Sequence, residues 1–65
     1  MSAWLLQRPS SINDRHERFL IRVERDQPET TPQPLLAMRF GTPSAARLFA
    51  MQFDGLFDEW RVVRR

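Results

Sequence analysis

The sequence predicts a single α+β domain, in which a small antiparallel-rich sheet (β-β-β-α-β along the chain) carries one helix packed on one face. Two patterns lead to this prediction. Short segments that alternate apolar and polar residues, typical of half-buried strands, occupy much of the chain. One later segment has apolar residues at helical spacing directly after a helix-start signal. With 65 residues, the chain has the size of one small domain.

The first part of the chain predicts two strands joined by a polar connector. Residues 3–7 form a short strand that ends before Arg8 and Pro9, and residues 10–17 form the connector. Residues 18–25 (RFLIRVER) alternate as a strand does. Their expected core-side residues are Phe19, Ile21 and Val23, with Arg18, Arg22 and Glu24 on the other side.

A helix is the rival interpretation of this second strand. Its apolar face would consist of Ile12, His16, Phe19, Leu20 and Val23, and residues 11–14 resemble the opening of a capping box. The strand is favoured because Ile and Val alternate with charged residues and because a following segment offers a pairing partner.

A proline-rich loop and a returning strand come next. Residues 27–34 are expected to form a stiff, extended loop, since three of these eight residues are proline. Residues 35–40 (LLAMRF) are expected to return as a strand and to pair antiparallel with residues 18–25. The expected core-side residues of this third strand are Leu36, Met38 and Phe40.

The helix prediction depends on a local start signal. Thr42 is a good N-cap residue, and Pro43 suits the first helical position because its missing N–H is not needed there. The helix should run from residue 43 to about residue 53, before Gly55 supplies a left-handed stop. Its buried stripe consists of Ala46, Phe49, Ala50 and Phe53.

Residues 59–64 (EWRVVR) predict the last strand, with Trp60 and Val62 pointing inward. A connection through a helix favours a parallel arrangement of the strands on either side of it. One helix covers only one face of such a sheet, so the other face should meet water or a partner.

Composition excludes several kinds of chemical site. The chain has no cysteine and a single histidine, His16, so neither a disulfide nor a structural zinc site is expected. Ser10, Ser11 and His16 share a polar loop, which offers no cleft or oxyanion hole for a hydrolytic triad. The acids Asp54, Asp58 and Glu59 lack the spacing of a calcium loop. We therefore expect no catalytic residues, no metal and no cofactor.

Charge and hydropathy bear on the location. The formal net charge is only +2, although all ten basic residues are arginine. No apolar run approaches the ~20 residues of a membrane helix, and the first residues lack the basic start of a signal peptide. A cytoplasmic protein without a membrane partner is expected.

The sheet face away from the helix is the predicted binding surface. Its expected partner-binding residues are Arg18, Leu20, Arg22, Leu35, Arg39, Arg61 and Arg65. Leu5, Ala37 and Val63 are expected on the same face. Arginine and leucine together favour a protein partner, since arginine is enriched at interfaces and leucine supplies apolar area.

Three alternatives remain for this arginine-bearing face. Nucleic acid is one, because arginine contacts phosphate, although the aromatic residues that would stack on bases are expected inside. A second copy of the chain is another, and a solvated face with arginines paired to glutamates is the third.

The function that follows is that of a small non-enzymatic protein-binding module. In size and composition the chain is similar to the small inhibitors that phages and mobile elements encode, anti-CRISPR proteins among them. That similarity implies an inhibitor of a host factor.

Overall fold

The computed structural model describes residues 3–10 and 16–65, and these form a four-stranded antiparallel sheet with one α-helix packed against it. The strands and helix are β1 (Trp4–Gln7), β2 (Phe19–Glu24), β3 (Gln27–Thr31), α1 (Pro43–Met51) and β4 (Arg61–Arg64). The sheet order is β3-β2-β1-β4, so β3 and β4 are its edge strands. The predicted α+β class is confirmed. Residues 11–15, which include Ile12 and the suggested capping box, lie outside the described residues.

Strand β2 confirms the strand interpretation of residues 18–25, but its hairpin partner is not the predicted one. β2 pairs with β3, which lies within the predicted loop, and residues 35–40 are not its partner. The connecting residues Arg25 and Asp26 have φ values of 52° and 60°, the left-handed conformation that a tight two-residue hairpin turn requires.

Pro28 explains why the sequence of β3 predicts a loop, although the segment forms a strand. It pairs with Val23, next to the Glu24–Gln27 pair that closes the hairpin. At this position the nitrogen of Pro28 points to the outer edge of the sheet, where no N–H is needed for pairing. A proline-containing segment can therefore form an edge strand here.

Residues 35–40 correct the prediction of a regular third strand. A short 3₁₀ turn spans Pro34–Leu36 and leaves Leu36 60% exposed, so Leu36 is not a core residue. The chain then contacts two strands in turn. The N–H of Met38 donates to the carbonyl of Leu20 at 2.8 Å, and Phe40 exchanges two backbone hydrogen bonds with Trp4. Met38 and Phe40 do pack on the helix side, as expected.

The start of α1 confirms the capping prediction. The Thr42 hydroxyl accepts a hydrogen bond from the N–H of Ala45 at 3.1 Å, and Pro43 is the first helical residue. The helix ends at Met51, slightly earlier than expected, and Gly55 adopts its positive φ of 74° in the turns that follow.

Strand β4 runs antiparallel to β1, and the segment that leads into α1 forms an antiparallel bridge with the other side of β1, between Phe40 and Trp4. Ala3 and Arg65 exchange a pair of backbone hydrogen bonds, both 2.9 Å long, at the end of this ladder. The two segments that flank α1 therefore run parallel to each other, with β1 between them, as predicted for segments joined through a helix.

The core consists of two clusters, one on each side of the sheet. On the helix side, Leu6 and Leu20 pack with Ala46 and Phe57. Four further aromatic rings pack around this cluster, and together with Phe57 they form ring contacts with centroid separations of 5.0–6.2 Å: Phe40, Phe49, Phe53 and Trp60. On the other side, Leu5 and Phe19 pack with Ala37, and Val63 completes the cluster.

Candidate protein-binding surface

A bulge in β2 decides which side of the sheet each of its residues faces. The register shifts between Leu20 and Arg22, so Ile21 is the extra residue. Before the bulge, Phe19 lies on the side away from the helix and Leu20 lies against the helix. After it, Val23 packs on the helix side. The alternation predicted for this strand therefore holds only for its second half.

This register corrects the predicted binding roles of two residues. Leu20 is fully buried beneath the helix, with 0% exposure, and cannot contact a partner. Arg18 is half-buried, and its guanidinium donates to the Thr30 hydroxyl at 2.7 Å and to the Thr30 carbonyl at 2.9 Å. Since Thr30 pairs with Leu20, this arginine ties β2 to β3 on the helix side. Both residues are structural.

The sheet face away from the helix is covered in part by the chain itself, contrary to the prediction of an open face. Leu5 is only 1% exposed because Phe19 and Ala37 pack against it. Arg65 adds to this cover, since its guanidinium lies 5.5 Å from the ring centroid of Phe19 and 3.3 Å from the carboxylate of Glu17. Such a cation–π contact favours keeping the arginine over the ring.

Arg22 lies on the surface but is occupied by acidic neighbours. Its guanidinium is 2.8 Å from Glu29 and 3.7 Å from Glu24. The hydrogen bond from Arg22 lowers the pKa of the Glu29 carboxyl, and the same bond raises the pKa of Arg22. Exposed pairs of this kind contribute little to stability, but they reduce the charge that Arg22 offers to a phosphate.

The other predicted residues include a group that does come together. Leu35, Arg39 and Arg65 line one cleft of about 260 Å³, together with Leu5 and Pro34. Leu35 is 80% exposed, and the neighbouring Leu36 is exposed as well. Leu35, Leu36, Arg39 and Arg65 are called the leucine–arginine surface below.

This surface is held by the backbone beneath it. The N–H of Leu36 donates to the carbonyl of Gln33 at 3.0 Å, and the N–H of Ala37 donates to that of Pro34 at 3.2 Å. Pro34 also has a fixed φ, which stiffens the turn. Within the described parts of the chain, the Arg39 side chain has no hydrogen bond or ion pair and remains available.

Arg61 lies apart from that group, on the edge strand β4. It borders a groove of about 850 Å³ between α1 and β4, which also has Met51, Phe53 and Val62 in its wall. The register places Arg61 on the same side of the sheet as Val63 and Leu5, but neither Arg61 nor Arg22 lines the cleft that holds Arg39. Sequence reasoning missed Leu36 and this groove. The two adjacent leucines after Pro34 were the only local signal that Leu36 belongs to an exposed surface.

The structure describes only part of the polar loop that holds Ser10, Ser11 and His16. His16 and Ser10 are exposed, whereas Ser11 and Asp14 lie outside the described residues. Across residues 3–10 and 16–65, no group of three or more His, Cys, Asp or Glu side chains is placed to hold a metal ion. In the same ranges, no helix is both long and apolar enough to cross a bilayer.

Comparison of this chain with protein-family models, with curated proteins and with solved structures gives no match. The chain's own surfaces are therefore the basis for inferring its function.

Proposed function

We propose that this domain is a non-enzymatic protein-binding module that contacts its partner through the leucine–arginine surface. The observation that carries the proposal is Leu35, a large apolar side chain that is 80% exposed on a hydrogen-bonded turn. Because the turn is already ordered, little conformational entropy is lost when a partner covers it.

The magnitudes favour a partner larger than a small molecule. Burying Leu35 and Leu36 contributes about 1.5–3 kcal/mol for each side chain. Association costs at least about 4 kcal/mol in lost translational and rotational freedom, so the leucines alone give weak binding at best. Arg39 and Arg65 at the same cleft supply further contacts, since guanidinium groups form two-pronged hydrogen bonds with carboxylates.

Nucleic acid is the alternative partner, and the distribution of charge and rings supports it less well. Arg22 is already paired with two glutamates, and Phe19 is buried below Arg65, where no base can stack on it. A protein partner requires neither an extended basic surface nor exposed rings.

Within this class, we propose the role of an inhibitor that acts by occupying a host factor in the cytoplasm. The small size and the absence of cysteine are in keeping with such a role in a reducing compartment. Adding the purified domain in equal amount to a captured enzyme should then reduce that enzyme's activity.

A capture experiment with matched variants tests the proposed surface. Immobilised wild-type domain is compared with Leu35→Asp and with Leu48→Asp, because Leu48 is an exposed leucine on α1, outside the proposed surface. The partner identified by mass spectrometry with the wild type should be lost with Leu35→Asp and kept with Leu48→Asp.

Two further measurements separate the alternatives. Binding that disappears after nuclease treatment and weakens steeply with salt would indicate nucleic acid instead of protein. Sedimentation of the purified domain reports whether the partner is a second copy. Equal capture by the Leu35→Asp variant and the wild type would contradict the proposed surface.

A further inference from the structure

The two edges of the sheet differ in their capacity to accept another strand. At the β3 edge, Pro28 directs its nitrogen outward and removes one donor, which is a common protection of edge strands. The β4 edge, Arg61–Arg64, contains no proline. The β4 edge is therefore the side of the sheet at which pairing can continue.

The register of β4 shows which backbone groups point outward. Ala3 and Arg65 form a hydrogen-bonded pair, so in the antiparallel ladder Leu5–Val63 and Gln7–Arg61 are hydrogen-bonded pairs as well. The N–H and C=O groups of Val62 and Arg64 consequently face away from β1. Of these four groups, only the Arg64 carbonyl has a partner among the described residues, the Arg65 guanidinium at 3.1 Å.

Side chains around this edge define its chemistry. Arg61, Arg64 and Arg65 follow one another along it, and neither Arg61 nor Arg64 forms an ion pair with any described residue. On the helix side, Val62 opens into the groove of about 850 Å³ against α1. Asp54 and Asp58 line the same groove, together with Arg47 and Arg61. The strand edge is thus basic, and the groove beside it holds both apolar and charged side chains.

Self-pairing is disfavoured by the same arginines. An antiparallel dimer that uses the outward groups of Val62 and Arg64 on both copies has its twofold axis at Val63. In that dimer, Arg61 of each copy lies opposite Arg65 of the other, which gives two such arginine pairs. Like charges directly opposite each other destabilise a strand pair.

We propose that the β4 edge binds an extended, acidic segment of another protein as an additional strand of the sheet. The segment supplies backbone hydrogen bonds to Val62 and Arg64, carboxylates opposite Arg61, Arg64 and Arg65, and an apolar side chain opposite Val62. This site shares only Arg65 with the leucine–arginine surface, and the other residues of the two sites can be tested separately.

A model peptide tests the proposal. The probe is acetyl-TEEVVET-amide, in which glutamates oppose Arg65, Arg64 and Arg61 in antiparallel register, and acetyl-TKKVVKT-amide is the charge control. Titration into ¹⁵N-labelled domain, followed by NMR, should shift the amides of Val62 and Arg64 with the acidic peptide. The lysine peptide should bind at least about tenfold more weakly, since three favourable charge contacts become repulsive.

Variants at Arg64 separate backbone pairing from charge. Arg64→Ala removes the guanidinium and keeps the outward N–H, whereas Arg64→Pro removes both and leaves the β1 ladder intact. Arg64→Ala should weaken the peptide about threefold, and Arg64→Pro at least about fivefold further, since a hydrogen bond is lost. A peptide N-methylated at the valine opposite Val62 should lose binding in the same way and requires no change in the protein.

Three results would overturn the proposal. They are equal binding of the acidic and lysine peptides, undiminished binding of the N-methylated peptide, and shifts that map to Leu35 and Arg39 instead of β4. The Leu35→Asp variant should bind the acidic peptide as the wild type does, so failure of the proposed leucine–arginine surface is recognised separately.

Discussion

Leu20 and Phe19 are neighbours in the chain, yet each anchors a different side of the sheet. Leu20 packs with Ala46 and Phe57 under the helix, whereas Phe19 packs with Leu5 on the opposite side. The carbonyl of Leu20 also accepts the N–H of Met38, at the point where β2 bulges. This residue thus joins the helix, the sheet and the returning segment.

Replacing Leu20 should therefore be far more costly than replacing an exposed leucine. Leu20→Ala is expected to lower the free energy of unfolding by about 2–5 kcal/mol, because it leaves a cavity between sheet and helix. The matched control Leu35→Ala should change it by less than about 0.5 kcal/mol. Chemical denaturation followed by circular dichroism measures both values. Similar values for the two variants would show that Leu20 is not a core residue.

The β2–β3 hairpin has a two-residue turn whose residue types are unusual for its backbone conformation. Arg25 and Asp26 both have positive φ, a conformation in which asparagine and glycine are much preferred. Side chains with a Cβ are strained there by roughly 1 kcal/mol or more. The turn therefore holds avoidable strain within an otherwise well-paired hairpin.

Relieving that strain should stabilise the domain. Asp26→Gly is expected to raise the free energy of unfolding by about 0.5–1 kcal/mol, which corresponds to about 2–8 °C in Tm for a domain of this size. Asp26→Ala is the control, because it removes the same carboxylate but keeps the Cβ, and it should not raise Tm. Thermal unfolding compares the two. An equal rise in both would assign the effect to the lost charge.

At the scale of the whole molecule, the sheet is covered on both sides. The helix and its aromatic residues cover one side, and residues around Ala37 with the Arg65 guanidinium cover part of the other. The segment that reaches Met38 and Phe40 bonds to β2 and to β1, so it connects the two halves of the sheet. Its backbone should be as protected as that of the central strands.

Amide hydrogen exchange tests this arrangement. The N–H groups of Met38 and Phe40 should exchange slowly, because both are hydrogen-bonded between strands. Those of Val62 and Arg64 point outward from the β4 edge and should exchange fast, with Val63 between them protected by Leu5. NMR-detected exchange resolves these amides individually. Slow exchange at Val62 in the isolated domain would show that the β4 edge is already covered.

The elements that could be predicted are those with local signals. Thr42 and Pro43 mark the helix start through capping chemistry within a few residues, and the alternation in residues 18–25 favours a strand over a helix. The prediction failed where pairing between residues far apart in the sequence determines the structure. Pro28 looks like a strand breaker until the sheet order places it on an outer edge, and Arg25–Asp26 lacks the usual glycine of a tight turn.

The candidate surface was predictable only in part for the same reason. The Ile21 bulge reverses the side on which Phe19 and Leu20 lie, and no local pattern announces a bulge. Leu35 and Arg39 were expected on the surface and are exposed there, together with Arg65 at one cleft. Leu20 was misplaced because the strand was assumed to alternate without interruption.

The hydrogen-bonded pair of Ala3 and Arg65 has a topological consequence. Since Ala3 and Arg65 lie side by side, a short glycine-rich linker can join these two residues without crossing the sheet. New ends opened between Arg25 and Asp26 would then relax the strained hairpin turn. Such a circular permutant should retain the fold. In its chain, β4 would directly precede β1.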